Sequence, residues 1–442
     1  MKFFDSLFVN RCAERFFKKH GFYRKMITDE ILLDMDKAAE RKLTGEKGGQ
    51  DMFSTWMKIP EKTPVNENVI VIDAGGTNFR SCLVSFDNEG KSEITCFRKT
   101  SMPATDREYS KEEFFNAIAD RIEYLRDKAC KIGFCFSYAL EITKNLDGIP
   151  NAFSKEIKAK EVLGVPVGKT LVEVLEKRGW KKIEKIVLLN DTVSALLAGV
   201  AANKDNVPYS SYVGFILGTG MNGAFIDEYN KMGGGRQIIV CESGKCKEIA
   251  LSDFDISLDK KLDVPGQYPL EKCCSGAYLG KVCLEILETA AREGLFSGED
   301  ASLILSLKSF STVQAGDFLN EYAGIKDCGE NGSVLGGMLK SKRDRKLAFI
   351  LIDSVVDRCA YYAASILASC LLKCGKGTEE CKPVCIVCNG TTLYKTYRLK
   401  ERMEKYLKEF AENHGLFFKT VCIEDDITLG TAVGALVEKS CE

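Results

Sequence analysis

The chain has 442 residues, long enough for two or three domains' worth of core, and its 45% hydrophobic and 28% charged residues are those of an ordinary globular protein. A net charge of −1 gives no reason to expect nucleic acid or an anionic membrane as a general partner. The 19 cysteines, in a large chain whose apolar N-terminal patches are broken by Asp5, Arg11, Glu14 and Arg15, read as reduced thiols in a cytoplasmic protein, and no stretch is expected to span a bilayer.

Residues 1–66 alternate helical patterns with polar breaks, ending at the Pro-containing KIPEKTPVNEN. Within them, the basic and aromatic FFKKHGFYRK reads as a helix packed on the core with a solvated charged face. Strands begin at Asn68. The stretch VIVIDAGGTNFRSCLVSF runs an apolar strand through Asp73 to Gly75 and Gly76, turns, and leaves through Thr77 and Asn78 as a second strand. No helix follows the glycines, as a P-loop or a dinucleotide fingerprint requires. The glycines therefore tip a hairpin, and a phosphate held there meets Thr77, Asn78 and glycine backbone. SEITCFRKTSM adds a third strand, and Phe114, Phe115, Ile118, Ile122 and Leu125 repeat with a helical period. IGFCFSYAL reads as strand, GKTLVEVLEKRGW as helix, and KIVLLNDTVSALLAGVAA as strand, turn and helix, with Asn190 and Asp191 at the join.

The pattern then repeats. SYVGFILGTGMNGAFIDE is a strand, a turn at Gly218, Thr219 and Gly220, and another strand. Helices are expected over residues 277–294, 344–373 and 397–413, a strand over 384–387, and a closing strand and helix in FFKTVCI and TLGTAVGALVEKS. Residues 298–343 carry too weak a pattern for assignment. Two αβ halves, each opening on a glycine-tipped hairpin, predict a duplicated α/β fold with a cleft between the halves. The cysteines at 370, 374, 381, 385 and 388 offer metal-like spacing, but Cys385 and Cys388 fall on opposite faces of a strand, so buried small hydrophobes are the expected reading.

Two such hairpins can grip a polyphosphate from both sides through backbone amides and the hydroxyls of Thr77 and Thr219. Asp73, at its strand end, is placed to orient a hydrated Mg²⁺. Asp191 sits where a strand meets a helix, the usual place for functional groups in open α/β sheets. There it can take a proton from an attacking hydroxyl, or, with Thr192, simply cap the helix; spacing alone leaves both open.

Together, DAGGTNFR, GFCFSY, LLNDTVSALLAG, LGTGMNGAF and PGQYPLEKCCSGAYLGK resemble the hexokinase family, in the family's order and over most of the chain from Asn68 onward. The resemblance implies the two-domain actin-like (sugar kinase and Hsp70) ATPase fold, with residues 1–66 as an extension, 67–190 as the small domain joined by 424–442, and 191–423 as the large domain. It implies an ATP- and Mg²⁺-dependent hexose 6-phosphotransferase, as monomer or homodimer. Asp191 would be the base, with Arg80 and Lys155 assisting. Sugar contacts would come from Ser137, Ser154, Lys155, Asn190, Asn222, Glu242 and Glu271, and phosphate contacts from Arg80, Thr77 and Thr219. Gly390, Thr391 and Thr392 resemble the adenosine-side motif, with Thr428 and Gly430 beside them in pattern. The chain departs from the family at Ala139, at FSKEI for Trp-Thr-Lys-Gly-Phe, at Ser243 and at Lys281. These departures bear on pocket shape and sugar choice, and they motivate the alternative of a sugar-binding sensor that does not catalyse. The phosphate hairpins by themselves fit any polyphosphate donor.

Overall fold

The computed structural model describes residues 3–44, 49–60, 63–75, 78–153, 157–202, 207–325 and 332–438. Two helices, α1 (Phe3–Lys19) and α2 (Thr28–Thr44), precede a two-residue strand, β1 (Phe53–Ser54). The first half continues with β2 (Glu67–Gly75), β3 (Asn78–Phe86), β4 (Ser92–Ser101), α3 (Lys111–Ile122) and β5 (Lys131–Phe136). A small hairpin, β6 (Ala139–Ile142) and β7 (Gly148–Ala152), leads to α4 (Val167–Lys177), β8 (Lys185–Leu189) and α5 (Asp191–Ala201). The second half opens with β9 (Ser211–Leu217), β10 (Met221–Asp227) and β11 (Gln237–Val240). A helical run follows: α6 (Asp253–Asp259), α7 (Pro269–Cys274), α8 (Leu279–Arg292), α9 (Gly298–Leu305), α10 (Thr312–Tyr322), α11 (Val334–Met338) and α12 (Lys342–Cys374). The chain closes through β12 (Val384–Asn389), α13 (Thr391–Lys395), α14 (Leu399–Asn413), β13 (Phe418–Val421) and α15 (Asp426–Leu436).

The duplication is explicit in the sheets. The first is ordered β4-β3-β2-β5-β8 and the second β11-β10-β9-β12-β13, with β1 added at the β11 edge. In each, the first three strands pair antiparallel and the last two join in parallel. Between the sheets lie α5 and α15, whose Leu196, Leu197, Ala432 and Val433 share one core with Val69 and Val71 of β2 and Ala224 and Ile226 of β10. Small residues let these helices approach closely: a Cβ on Gly430 would lie 1.7 Å from the Ser194 carbonyl oxygen.

Four expectations change. IGFCFSYAL is two strands, broken at Ser137, where the chain leaves the sheet. Residues 298–343, unassigned from sequence, hold α9, α10 and α11; α9 packs on α8, α10 on α8 and α12, and α11 on α10, each helix too short for a long period to form. The N-terminal extension is not wholly helical, because β1 pairs with β11. Finally, α12 is long and apolar enough to cross a membrane by length and composition, but 83% of its apolar window is buried within the protein, as in a core helix. It is pinned there by Arg358, whose guanidinium donates to both Asp255 oxygens at 2.7 and 2.8 Å with both groups buried. The N-terminal aromatics pack as expected: Phe16, Phe17 and Phe22 are buried around Phe254. Cys385 and Cys388 enter different cores, and the described residues contain no group of three or more ligands able to hold a metal ion.

Candidate active site

The strand β8 delivers Asn190 and Asp191 to the start of α5. Here Asn190, rather than Asp191 or Thr192, is the helix cap: its Oδ1 accepts from the Thr192 amide at 2.9 Å in extended backbone geometry. Asp191 Oδ1 accepts from the same amide at 2.8 Å and from Thr192 Oγ1 at 3.3 Å. Burial pushes the Asp191 carboxyl up to about 6 against the Thr192 bond, with the charges of Asp73 and Glu242 adding to the rise. Such a carboxylate is ionised at neutral pH yet basic enough to accept a proton.

Polar groups of the second half gather around Glu242, whose charge reaches Asp191. Asn222 on β10 donates from Nδ2 to Glu242 Oε1 at 3.0 Å. Glu242 follows β11 in the left-handed region (φ 49°, ψ 42°), a geometry that turns its side chain out of the strand direction. Glu271, in the first turn of α7, accepts from the Met221 amide at 3.2 Å, and burial pushes its carboxyl up to about 7, helped by Glu242. A small pocket is lined by Asn190 and Glu242 together with Phe53, Met57, Tyr138 and Leu140. Neighbouring carboxylates and amides beside aromatic walls suit a polyhydroxylated molecule, because each buried hydroxyl must find a partner. Ser137 stands at the end of β5, its amide donating to the Ala74 carbonyl at 3.1 Å. A Cβ on Gly75 would lie 3.0 Å from the Ser137 hydroxyl, so this serine adjoins the first hairpin tip.

At that tip, Asp73 is buried and its Oδ2 accepts from Arg80 Nη1 at 2.6 Å. Burial raises the Asp73 carboxyl, while the Arg80 bond opposes the rise. Asn78 opens β3 opposite Gly75. At the second tip, the Gly218 carbonyl receives the Gly276 amide at 2.9 Å and the Thr392 hydroxyl at 2.8 Å, and the Thr219 carbonyl receives the Ala277 amide at 3.1 Å. Gly218 also donates to the Gly220 carbonyl at 2.9 Å, closing the turn. Gly390 adopts φ 122°, and a Cβ there would stand 2.1 Å from the Leu217 carbonyl oxygen. Thr391 begins α13 directly after it. These bonds draw the turns at Gly218, Gly276 and Gly390 together, and Asp73, a carboxylate ordered by Arg80, could hold a metal-bound water.

Gly76, Thr77, Ser154 and Lys155 lie outside the described residues, so the expectations for them rest on sequence. Gly430, expected from the sequence on the nucleotide side, lies where α15 closely approaches α5 at Ser194, a contact that leaves no room for a side chain. Thr428 lies on the same helix and is buried. Sequence reading also missed groups around the site. Lys245 reaches Glu242 and Asp51, and Asp426 accepts from Asn389 Nδ2 at 2.5 Å, tying the end of β12 to α15. The lysine directly after ESG was a visible signal; its partner, far back in the N-terminal extension, was not.

Two family models described as hexokinase match residues 17–201 and 212–437. Hexokinase-2 of Equus caballus is 25% identical over 441 residues, covering 93% of this chain and 47% of that protein. Hexokinase-1 of Schizosaccharomyces pombe is 24% identical over 436 residues, covering 93% of this chain and 87% of that protein. The chain thus spans about half the length of the horse relative and most of the yeast one. A structure of the hexokinase from Schistosoma mansoni complexed with glucose superposes with a TM-score of 0.75 at 23% identity, over 97% of this chain and 99% of that one. The fold is that of the two-domain actin-like sugar kinases. With family models covering both halves and a matching fold, the chain belongs to the hexokinase family.

Proposed function

We propose that this chain transfers the γ-phosphoryl group of ATP to the 6-hydroxyl of a hexose such as glucose. The observation that carries the reading is the placing of Asp191 at the join of β8 and α5, beside Asn190, which shares a pocket with Glu242. Asn190, Asn222, Glu242, Glu271 and Ser137, with Ser154 and Lys155, take the sugar hydroxyls and fix the ring. Asp191 accepts the hydroxyl proton as that oxygen attacks the γ-phosphorus, and the bond to the bridging oxygen of ADP breaks. Arg80 and Lys155 offset the charge spread over the transferring group. The two hairpin turns, with Thr77, Thr219 and the Gly390–Thr392 turn, hold the nucleotide. When bound, Mg²⁺ neutralises phosphate charge, and Asp73 holds it through water.

The division into residues 1–66, 67–190 with 424–442, and 191–423 supplies two bodies able to close on the sugar and exclude water. A cytoplasmic monomer or homodimer serving carbohydrate phosphorylation at the head of glycolysis fits this reading. A coupled assay with ATP, Mg²⁺ and a panel of hexoses tests it, with ADP formation dependent on the hexose as the expected result. Hexose binding without ADP formation would replace the kinase by a sugar-binding sensor. Formation of ADP independent of any sugar would replace it by an ATPase.

A further inference from the structure

The hexose site proposed above sets Asp191 and Glu271 on either side of Glu242 in electrostatic reach, and each of the three carboxyls is raised by burial and by a neighbouring carboxylate. Such a group tends to share protons, and a protonated carboxyl accepts a sugar hydroxyl poorly. One cation answers this crowding from the Glu242 side. Lys245 Nζ lies 2.8 Å from Asp51 Oδ2 and 3.7 Å from Glu242 Oε2. Its side chain is only 21% exposed, and the ammonium sits 5.8 Å from the Phe53 ring centre and 5.6 Å from that of Tyr268. The position is held by backbone: Lys245 donates its amide to the Glu242 carbonyl at 3.0 Å, and β1 pairs with β11 to fix the chain that carries Asp51.

We propose that Lys245 is a positioning residue of the hexose site: held between Asp51 and Glu242, it keeps Glu242 aimed and charged to accept a sugar hydroxyl, and Asp51 sets how strongly it does so. This rests on the reading of Glu242 as a sugar ligand. The other described groups acting on this cluster are Asp191 on α5, Asp73 on β2 acting on Asp191, Glu271 and Lys272 on α7, and Tyr268 just before it; Asn222 holds the second Glu242 oxygen. Lys245 lowers the Glu242 carboxyl against the rise that burial imposes, and Asp51 works the other way. Lys245 is thereby a route by which the N-terminal extension acts on the sugar pocket.

The test is glucose affinity by titration calorimetry without nucleotide, on the full chain, across pH. Lys245→Met should weaken glucose about tenfold near pH 6 and approach wild type near pH 8.5, since removing the cation leaves Glu242 protonated over a wider acid range. Lys245→Arg should restore most of the affinity. Asp51→Asn should move the acid loss of affinity to lower pH, opposite in sign, and it carries the test should Met at 245 unfold the chain. In turnover, the Lys245→Met effect should fall on KM for the hexose and leave kcat within about twofold. A Lys245→Met loss of equal size at every pH, or Asp51→Asn shifting the profile the same way, would overturn the assignment. Glucose bound by wild type without turnover would defeat the kinase reading and leave this one standing; no binding of any hexose would overturn both.

Discussion

The two hairpins share topology but not chemistry. Two cross-strand pairs back from the turn pair of β2–β3, Asp73 stands opposite Arg80; at the matching place in β9–β10, Phe215 stands opposite Gly223. The first pair is a charge pair with Arg80 40% exposed, while Phe215 is fully buried and a Cβ on Gly223 would press on Ile366 and Cys370 of α12. The first tip therefore contributes charge to the cleft. The second contributes shape, built from backbone contacts among Gly218, Gly276 and Gly390 and supported by a buried helix. Duplication preserves the strand order, because sheet pairing and the helices between the sheets depend on it. The residues at the tips are free to diverge.

That division of labour can be broken from either side. The largest effect is expected at the junction between the halves: Asp191→Ala should lower kcat by roughly 10²–10⁴-fold. Its melting temperature should stay near wild type, because Asn190 still caps α5. The pH profile sharpens the same point. Asp191 acts as a base only when ionised, so kcat should hold above about pH 6 and fall about tenfold per unit below it. Protonation of Glu271 near 7 should add a weaker inflection in the hexose KM, the two steps belonging to the coupled carboxylates together. At the charged tip, Arg80→Met should cost about 10²-fold in turnover with little loss of stability. At the shaped tip the pattern should reverse. Gly390→Ala forces a strained φ and a backbone clash with Leu217, and should destabilise the fold by about 2–3 kcal/mol in chemical denaturation. Equal losses of stability in both variants would show that the tips do not differ in this way.

Much of the site was legible in the sequence for a local reason. Gly75 and Gly218 announce turns, an apolar strand ending in Asn190 and Asp191 announces a sheet's functional edge, and both signals span only a few residues. The caps were less legible, since Asn, Asp and Thr in succession all accept amide bonds and only backbone geometry assigned the role to Asn190. The helix contact at Gly430 was not legible, because a glycine that lets two helices touch has no signature of its own in one dimension. The helices α9, α10 and α11 were missed because each is too short for its period to rise above loop composition.

By itself the sequence determined the alternation of strands and helices, the two glycine-tipped hairpins and the family motifs, since these follow from side-chain period, turn geometry and residue order. Only the tertiary structure decided that the two sheets repeat one strand order, that α12 is a core helix although apolar enough for a membrane, and that Lys245 answers to Asp51 as well as to Glu242. The physical reason is common to all three. Strand neighbours, burial and charge partners are set by long-range packing, where a few ångströms of distance outweigh any separation along the chain.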